Sequence, residues 1–297
     1  VWWFFLVWAS RGQYVLGTVE NYSKAVRHWH VSKGIPDLSP TGDRNAVVLM
    51  KSIRKRLGGE EPKRAQPLTT PMFKLLLLEL LVNGRKGVDG LPKTRRIVLM
   101  DVMWISVGFL GLLRRSELAA LKVRDLAIHE DHLAVRVARS KTDQEGKGCQ
   151  VIIGFARELF PEGMEWKEVV EEYLKLLRQE GVGADGPLFG HEKDAGVGYA
   201  AKADGLVKRL QRFIEFVDSK YQLGWKCDGF TGHSLRRGGT QALRDAGVPR
   251  DVIKAQGRWR SSAVDVYLDI LKTSWKVQVV VALGRGRWVN PDLVGER

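Results

Sequence analysis

The sequence predicts a mainly α-helical chain with a small antiparallel β-sheet, an α+β fold in two parts. Three observations carry this. Apolar residues recur at helical spacing over most of the 297 residues, and strand character is confined to residues 122–154. Between two helical regions lies Gly58-Gly-Glu-Glu-Pro-Lys-Arg-Ala-Gln-Pro67, which has no periodicity and reads as a linker. We set the boundary there, with a helical first domain over residues 1–62 and a larger second domain over 63–297. A chain of this length holds one large core, or a small one and a medium one.

Charge bounds the partner. A net charge of +14 and a pI near 9.8 point to a polyanion, above all double-stranded DNA. Two cysteines, Cys149 and Cys227, exclude a disulfide framework and a cysteine zinc cluster, and they read as reduced thiols of an intracellular protein. No Walker-type loop, HExxH or CxxC spacing is present, and no internal repeat. His28, His30, His129, His132 and His191 have no partner at ligand spacing, so we assign no metal site.

Taken in order, the opening Val1-Trp-Trp-Phe-Phe-Leu-Val-Trp8 is apolar but too short to span a bilayer. It lacks the basic flank and cleavage site of a signal peptide. We read it as a buried first helix or strand of a domain truncated at its N-terminus. From Thr18, a plausible cap, Tyr22, Val26 and Trp29 recur at helical spacing, with Lys24, Arg27 and Lys33 among them. A second helix is expected over Arg44 to Leu57, with apolar Val47, Val48 and Leu49 and a basic end, Lys51, Arg54, Lys55 and Arg56. That one-signed bias favours a face tracking phosphates over a merely solvated one, and Lys24 and Arg27 join it.

Leu68-Thr-Thr-Pro71 restarts a helix, with Thr69 or Thr70 as cap and Pro71 in its first turn. Phe73 to Val82 reads as a central core helix, Gly84 to Pro92 as a loop, and Arg95 to Leu113 as a second long buried helix. Then Arg114 follows a hydrophobic run, with Glu117 three residues on and able to hold it. Strands are expected over Leu133 to Arg139 and Gln150 to Ile153, joined by the polar loop Ser140 to Gly148 that carries Lys141. Trp166 to Gln179 is an amphipathic helix, Gly181 to Gly198 a loop, and Tyr199 to Lys220 a basic amphipathic helix.

The last stretch organises the rest. Thr231-Gly-His-Ser-Leu-Arg-Arg-Gly-Gly239 sets His233 and Arg236 three apart at a helix start, on one face. A Gly-Arg-Trp turn, Gly257 to Trp259, follows, and then Tyr267 in a short helical pattern. The grouping suggests a phosphate site with a nucleophile beside it.

Together, Leu113-Arg-Arg-Ser-Glu-Leu-Ala-Ala-Leu-Lys-Val-Arg-Asp125, Ser140-Lys-Thr-Asp143, Thr231 to Gly239, and Gly257-Arg-Trp-Arg-Ser-Ser262 with Tyr267 resemble the tyrosine recombinase (phage integrase) family. Within it, they look closest to the crypton and DIRS-like recombinases of eukaryotic mobile elements. The resemblance spans Leu68 to about Leu271 well and the first domain loosely, through Tyr22 and Trp29. It implies a helical, SAM-like core-binding domain followed by a catalytic domain. It also implies Arg114 and Arg236 as phosphate-binding arginines, Tyr267 as nucleophile, His233 and Lys141 as proton-transfer groups, and Glu117 as support. The family places His or Trp nine residues before the nucleophile. Here Arg258 holds that position and Trp259 comes one later, so we give the supporting role to Trp259, with Arg258 beside it.

The implied reaction cleaves and rejoins DNA through a 3′-phosphotyrosyl link, and needs neither ATP nor a metal. It implies a homotetramer on two duplexes, compatible with a monomer in solution, and a nuclear location if the host is eukaryotic. Two other readings stay open: relaxation of DNA in the manner of a type IB topoisomerase, and a non-catalytic DNA-binding protein derived from a mobile element.

Overall fold

A computed structural model of the chain describes residues 7–8, 11–12, 14–35, 44–57, 65–83, 94–139, 148–155, 159–191, 199–200, 203–259 and 264. It divides into two compact units, Val1–Arg64 and Ala65–Arg297.

In the first unit, α1 (Leu16–Ser32) packs against α2 (Arg44–Leu57). Val19, Met50 and Ile53 form the centre, with Leu16, Val26, Leu49 and Leu57 packed around them. The buried stripe of α1 is therefore Val19, Ser23 and His30, and not the Tyr22–Trp29 stripe expected from spacing. Tyr22 and Trp29 are 42% and 55% exposed. The helix starts at Leu16, before Thr18, and its Val19 stripe meets the aliphatic side chains that α2 offers. Val47 and Val48 likewise face out, because Met50 and Ile53 take the inner positions. Lys24, Arg27, Lys51, Arg54, Lys55 and Arg56 are all exposed, and Arg54 pairs with Glu20 at 2.9 Å. Trp8 is 53% exposed, against the buried opening segment expected; Val1 to Leu6 lie outside the described residues.

The second unit is built on α4 (Arg95–Leu110), buried along nearly its whole length, as a helix apolar on every side must be. Around it pack α3 (Thr70–Asn83), α6 (Trp166–Gln179) and α8 (Ser234–Asp245), with the short α5 (Arg115–Ala120) at its end. Thr69 supplies the cap of α3, its hydroxyl 3.5 Å from the Met72 amide, and Thr94 caps α4. Asp101, fully buried in α4, is paired: Arg209 Nη2 lies 2.6 Å from it and Trp104 Nε1 donates at 3.1 Å. α4 ends three residues short of Leu113. Gly111 closes it, and Leu112 takes a left-handed backbone (φ 50°) that no helix continues.

Strands β1 (Leu126–Ile128), β2 (His132–Val137) and β3 (Cys149–Gly154) form an antiparallel sheet in that order. β1 is too short to be read from sequence. β4 (Gly190–His191) pairs with β5 (Tyr199–Ala200). The helix expected from Tyr199 is thus a strand at its start, and α7 runs over Ala203–Tyr221. A two-residue strand carries no periodicity, so the helical pattern behind it had absorbed it.

Two glycines bring α8 to backbone contact with its neighbours. A Cβ on Gly238 would lie 1.8 Å from the Leu68 carbonyl oxygen, and one on Gly239 would lie 2.0 Å from that of Phe109. The segment at Ala65–Thr69 is held to the same region, Gln66 donating to Gly229 O at 2.8 Å and Leu68 to Ser234 O at 3.1 Å. The short α9 (Arg250–Gln256) follows α8, and Gln256 Nε2 donates to the Ile152 carbonyl of edge strand β3 at 3.0 Å.

Candidate active site

The site begins where α4 stops. The left-handed turn at Leu112 leads into Arg114, the residue before α5, and Glu117 in the first turn of α5 folds back on it. The Glu117 carboxylate accepts from the Arg114 backbone amide (2.8 Å) and from Arg114 Nη1 (2.7 Å). This satisfies an orphan amide of the helix start and fixes the guanidinium at once. Glu117 is 2% exposed and Arg114 16%.

α8 brings Arg236. His233 stands just before its first residue and is exposed, while Arg236, one turn in, is fully buried. A cation at that depth needs partners. Arg236 donates from Nη1 to the Leu112 carbonyl and from Nη2 to the Gly257 carbonyl, and its guanidinium carbon lies 4.1 Å from the centre of the Trp259 ring.

The turn after α9 completes the cluster. Gly257 has to be glycine, since a Cβ there would sit 1.6 Å from the Trp259 ring folded back over it. Arg258 takes a left-handed backbone (φ 59°). Its Nη2 donates to Glu117 Oε2 at 2.8 Å and to the Leu112 carbonyl at 3.3 Å. Three arginines from three segments thus share two anchors, the Leu112 carbonyl and the Glu117 carboxylate.

No family model matches the chain. An integrase/recombinase XerD homologue from Selenomonas ruminantium is 30% identical over 140 residues, which are 47% of this chain and 38% of that relative's length. The XerH site-specific recombinase, solved as a post-cleavage complex on palindromic difH substrate, superposes with a TM-score of 0.56 at 14% identity, over 96% of this chain and 71% of that one. The Tn1549 transposon integrase, solved with transposon right end DNA, gives 0.54 at 13% identity, over 89% and 77%. The chain therefore shares its fold with these two DNA-bound proteins, and its sequence likeness to the XerD homologue spans well under half of that relative's length.

Within this fold, the structure brings together Arg114, Glu117, Arg236, Arg258 and Trp259. It does not bury His233 with them; the histidine backbone amide donates to Thr231 Oγ1 at 3.3 Å. His233 and Arg236 therefore do not share a buried face: the histidine sits before the helix and the arginine inside it. Lys141 and Tyr267 lie outside the described residues. Among the described residues no group of three or more His, Cys, Asp or Glu could hold a metal ion, and no helix is long and apolar enough to cross a membrane.

Sequence reasoning missed the Leu112 carbonyl, for leucine gives no hint of a left-handed turn. It also missed Arg115, whose side chain needs the space left by Gly232: a Cβ on Gly232 would lie 2.1 Å from Arg115 Cδ. Arg115 pairs with exposed Asp204 at 2.6 Å. The adjacent glycine and histidine of the Thr231 motif were the available signal.

Proposed function

We propose that the chain is a site-specific DNA recombinase or integrase that cleaves and rejoins strands through a 3′-phosphotyrosyl intermediate, without ATP or a metal. The observation that carries this is that Arg114 and Arg236, 122 residues apart in sequence, are joined through Arg258, which shares the Glu117 carboxylate with Arg114 and the Leu112 carbonyl with Arg236. In this reading the Tyr267 phenol oxygen attacks the scissile phosphorus, and the bond to the 5′ oxygen breaks. Lys141 protonates the departing 5′ oxygen, and His233 accepts or relays the phenol proton. The two guanidinium groups stabilise the added negative charge of the pentavalent phosphorane through forked, charge-assisted hydrogen bonds. Glu117 holds Arg114 in place, and Trp259 supports Arg236.

Double-stranded DNA is the proposed partner, gripped also by Lys24, Arg27, Lys51, Arg54, Lys55 and Arg56 of the first unit. The active assembly is a homotetramer on two duplexes, and the protein works inside the cell. Kinship to the crypton and DIRS-like branch rests on the Gly-Arg-Trp form of residues 257–259.

The test begins with selection of bound duplexes from a random pool. A nicked suicide substrate carrying the selected sequence is then incubated with the chain. A covalent protein–DNA band on a denaturing gel is expected; binding without any such band would reduce the protein to a non-catalytic binder. Plasmid relaxation without two-site recombination would shift the reading to a topoisomerase.

A further inference from the structure

We propose that the β1–β2 hairpin carries a binding site for a divalent transition metal of the Zn²⁺, Ni²⁺ or Cu²⁺ class, with His129 and His132 as its two imidazole ligands. The site is separate from the arginine cluster and does not depend on the recombinase reading.

Sequence spacing alone gives these histidines no partner; the hairpin does. His129 directly follows β1 and His132 opens β2. The His129 amide donates to the His132 carbonyl at 2.9 Å, which extends the ladder by one residue beyond Ile128 and Leu133. Residues opposite each other in an antiparallel ladder put their side chains on one face. Accordingly the two imidazoles stack, with ring centres 4.4 Å apart and planes inclined by 13°. Two nitrogens bound to one ion at about 2.0–2.1 Å stand roughly 3–3.4 Å apart. Rings this close reach that separation by a small rotation about χ2.

The neighbouring carboxylate prepares one ring. Asp131 Oδ1 lies 2.6 Å from His132 Nδ1. A carboxylate only accepts, so Nδ1 carries the hydrogen and the neutral ring presents its Nε2 lone pair. Such a carboxylate partner fixes the tautomer of a metal-bound histidine and raises its basicity. The turn is also pinned from outside: the Phe155 amide donates to the Asp131 carbonyl at 3.2 Å, and Lys167 Nζ to the Glu130 carbonyl at 3.3 Å. Across the other ladder His132 faces Gly154, where an added Cβ would meet nothing within 4 Å, so an ion and its waters have room. His129 is exposed and His132 is 26% exposed, which opens the site to solvent. Imidazole pairs suit these metals, whereas Mg²⁺ and Ca²⁺ take oxygen ligands. The protein supplies a pair and not a closed cage, and water fills the remaining positions. The length of β2, roughly 17 Å at about 3.3 Å per residue, separates His132 from Val137 and the segment beyond it that carries Lys141. No step of the proposed strand cleavage passes through the ion.

The experiment is isothermal titration calorimetry of the full chain with Ni²⁺ at pH 7.5, with Mg²⁺ titrated in parallel. It compares the native chain with His129→Gln, His132→Gln, Asp131→Asn and His28→Ala. His28 is an exposed histidine of α1, in the other unit, so its variant controls for adventitious binding at the surface. The native chain and His28→Ala should each bind one Ni²⁺ with the same affinity, and Mg²⁺ should give no binding heat. Asp131→Asn should weaken Ni²⁺ binding about 10-fold, the low end of the loss when a ligand's outer partner is removed. Each histidine variant should weaken it by more. Circular dichroism of the metal-free variants should match the native chain, because none of the three substituted hairpin side chains is buried. The proposal is overturned if the native chain takes up no Ni²⁺, if either histidine variant binds as the native chain does, or if the loss follows His28→Ala instead. The recombinase reading stands or falls separately, on the covalent band from the suicide substrate.

Discussion

At the scale of single residues, the site is a balance of charge around one carboxylate. Glu117 is nearly inaccessible and accepts from Arg114 Nη1, the Arg114 amide and Arg258 Nη2. Neutralising it leaves two guanidinium groups without their counter-charge. Glu117→Gln should therefore lower stability by about 3 kcal/mol in urea denaturation, the usual cost of removing one partner of a buried pair. A change under about 0.5 kcal/mol would mean that solvent already screens the cluster. The pairing of Arg114 with Glu117 was open to sequence reasoning, because a three-residue spacing at a helix start brings the two side chains together directly. The sharing of Glu117 with Arg258 was not. It depends on a left-handed turn 141 residues away in sequence, which no local pattern marks.

At the scale of elements, backbone approach and burial make the strongest statements. Gly238 and Gly239 let α8 lie against Leu68 and α4. Gly238→Ala should cost at least about 3 kcal/mol, because the obstacle is a carbonyl oxygen and not a flexible side chain. Gly205 in α7 meets nothing within 4 Å, so Gly205→Ala should instead stabilise by about 0.5–1 kcal/mol. Comparing the two unfolding midpoints checks the packing. Tyr173 of α6 offers a pH test. Burial pushes its phenol well above the ordinary 10.0, and its hydroxyl donates to the Leu188 carbonyl at 2.5 Å. The folded chain then keeps a proton that the unfolded chain gives up. That stability is complete below pH 10.0 and is lost as pH rises through the higher folded value. Tyr173→Phe should be less stable at pH 7 by about 1 kcal/mol, yet fall less steeply above pH 10; equal alkaline slopes would refute the assignment. The long helices of this unit were legible from periodicity. Strands of two or three residues and the true inner stripe of α1 were not, since partners choose among the stripes a helix offers.

At the scale of the whole molecule, a chain of net charge +14 should bind duplex DNA with a strong dependence on salt. Replacing Lys51, Lys55 and Arg56 together by alanine should weaken binding on all sequences alike. The slope of log K against log salt should become shallower by about 0.9 for each phosphate no longer neutralised. An unchanged slope would show that this basic helix end is only a solvated face. The class of fold was readable from helical periodicity, one confined strand region and a linker, and the recombinase resemblance from four motifs in order. The meeting of their arginines was not, because it rests on carbonyls, glycines and one strained leucine.

We propose that these arginines serve a phosphotyrosyl reaction at Tyr267. The most direct measurement traps the protein on a suicide duplex, digests the adduct and identifies the nucleotide-bearing peptide by mass spectrometry. The modification should fall on Tyr267 and be absent in Tyr267→Phe, with DNA affinity kept within about threefold, or 0.6 kcal/mol. A nucleotide on any other residue, or an adduct that survives in Tyr267→Phe, would contradict it.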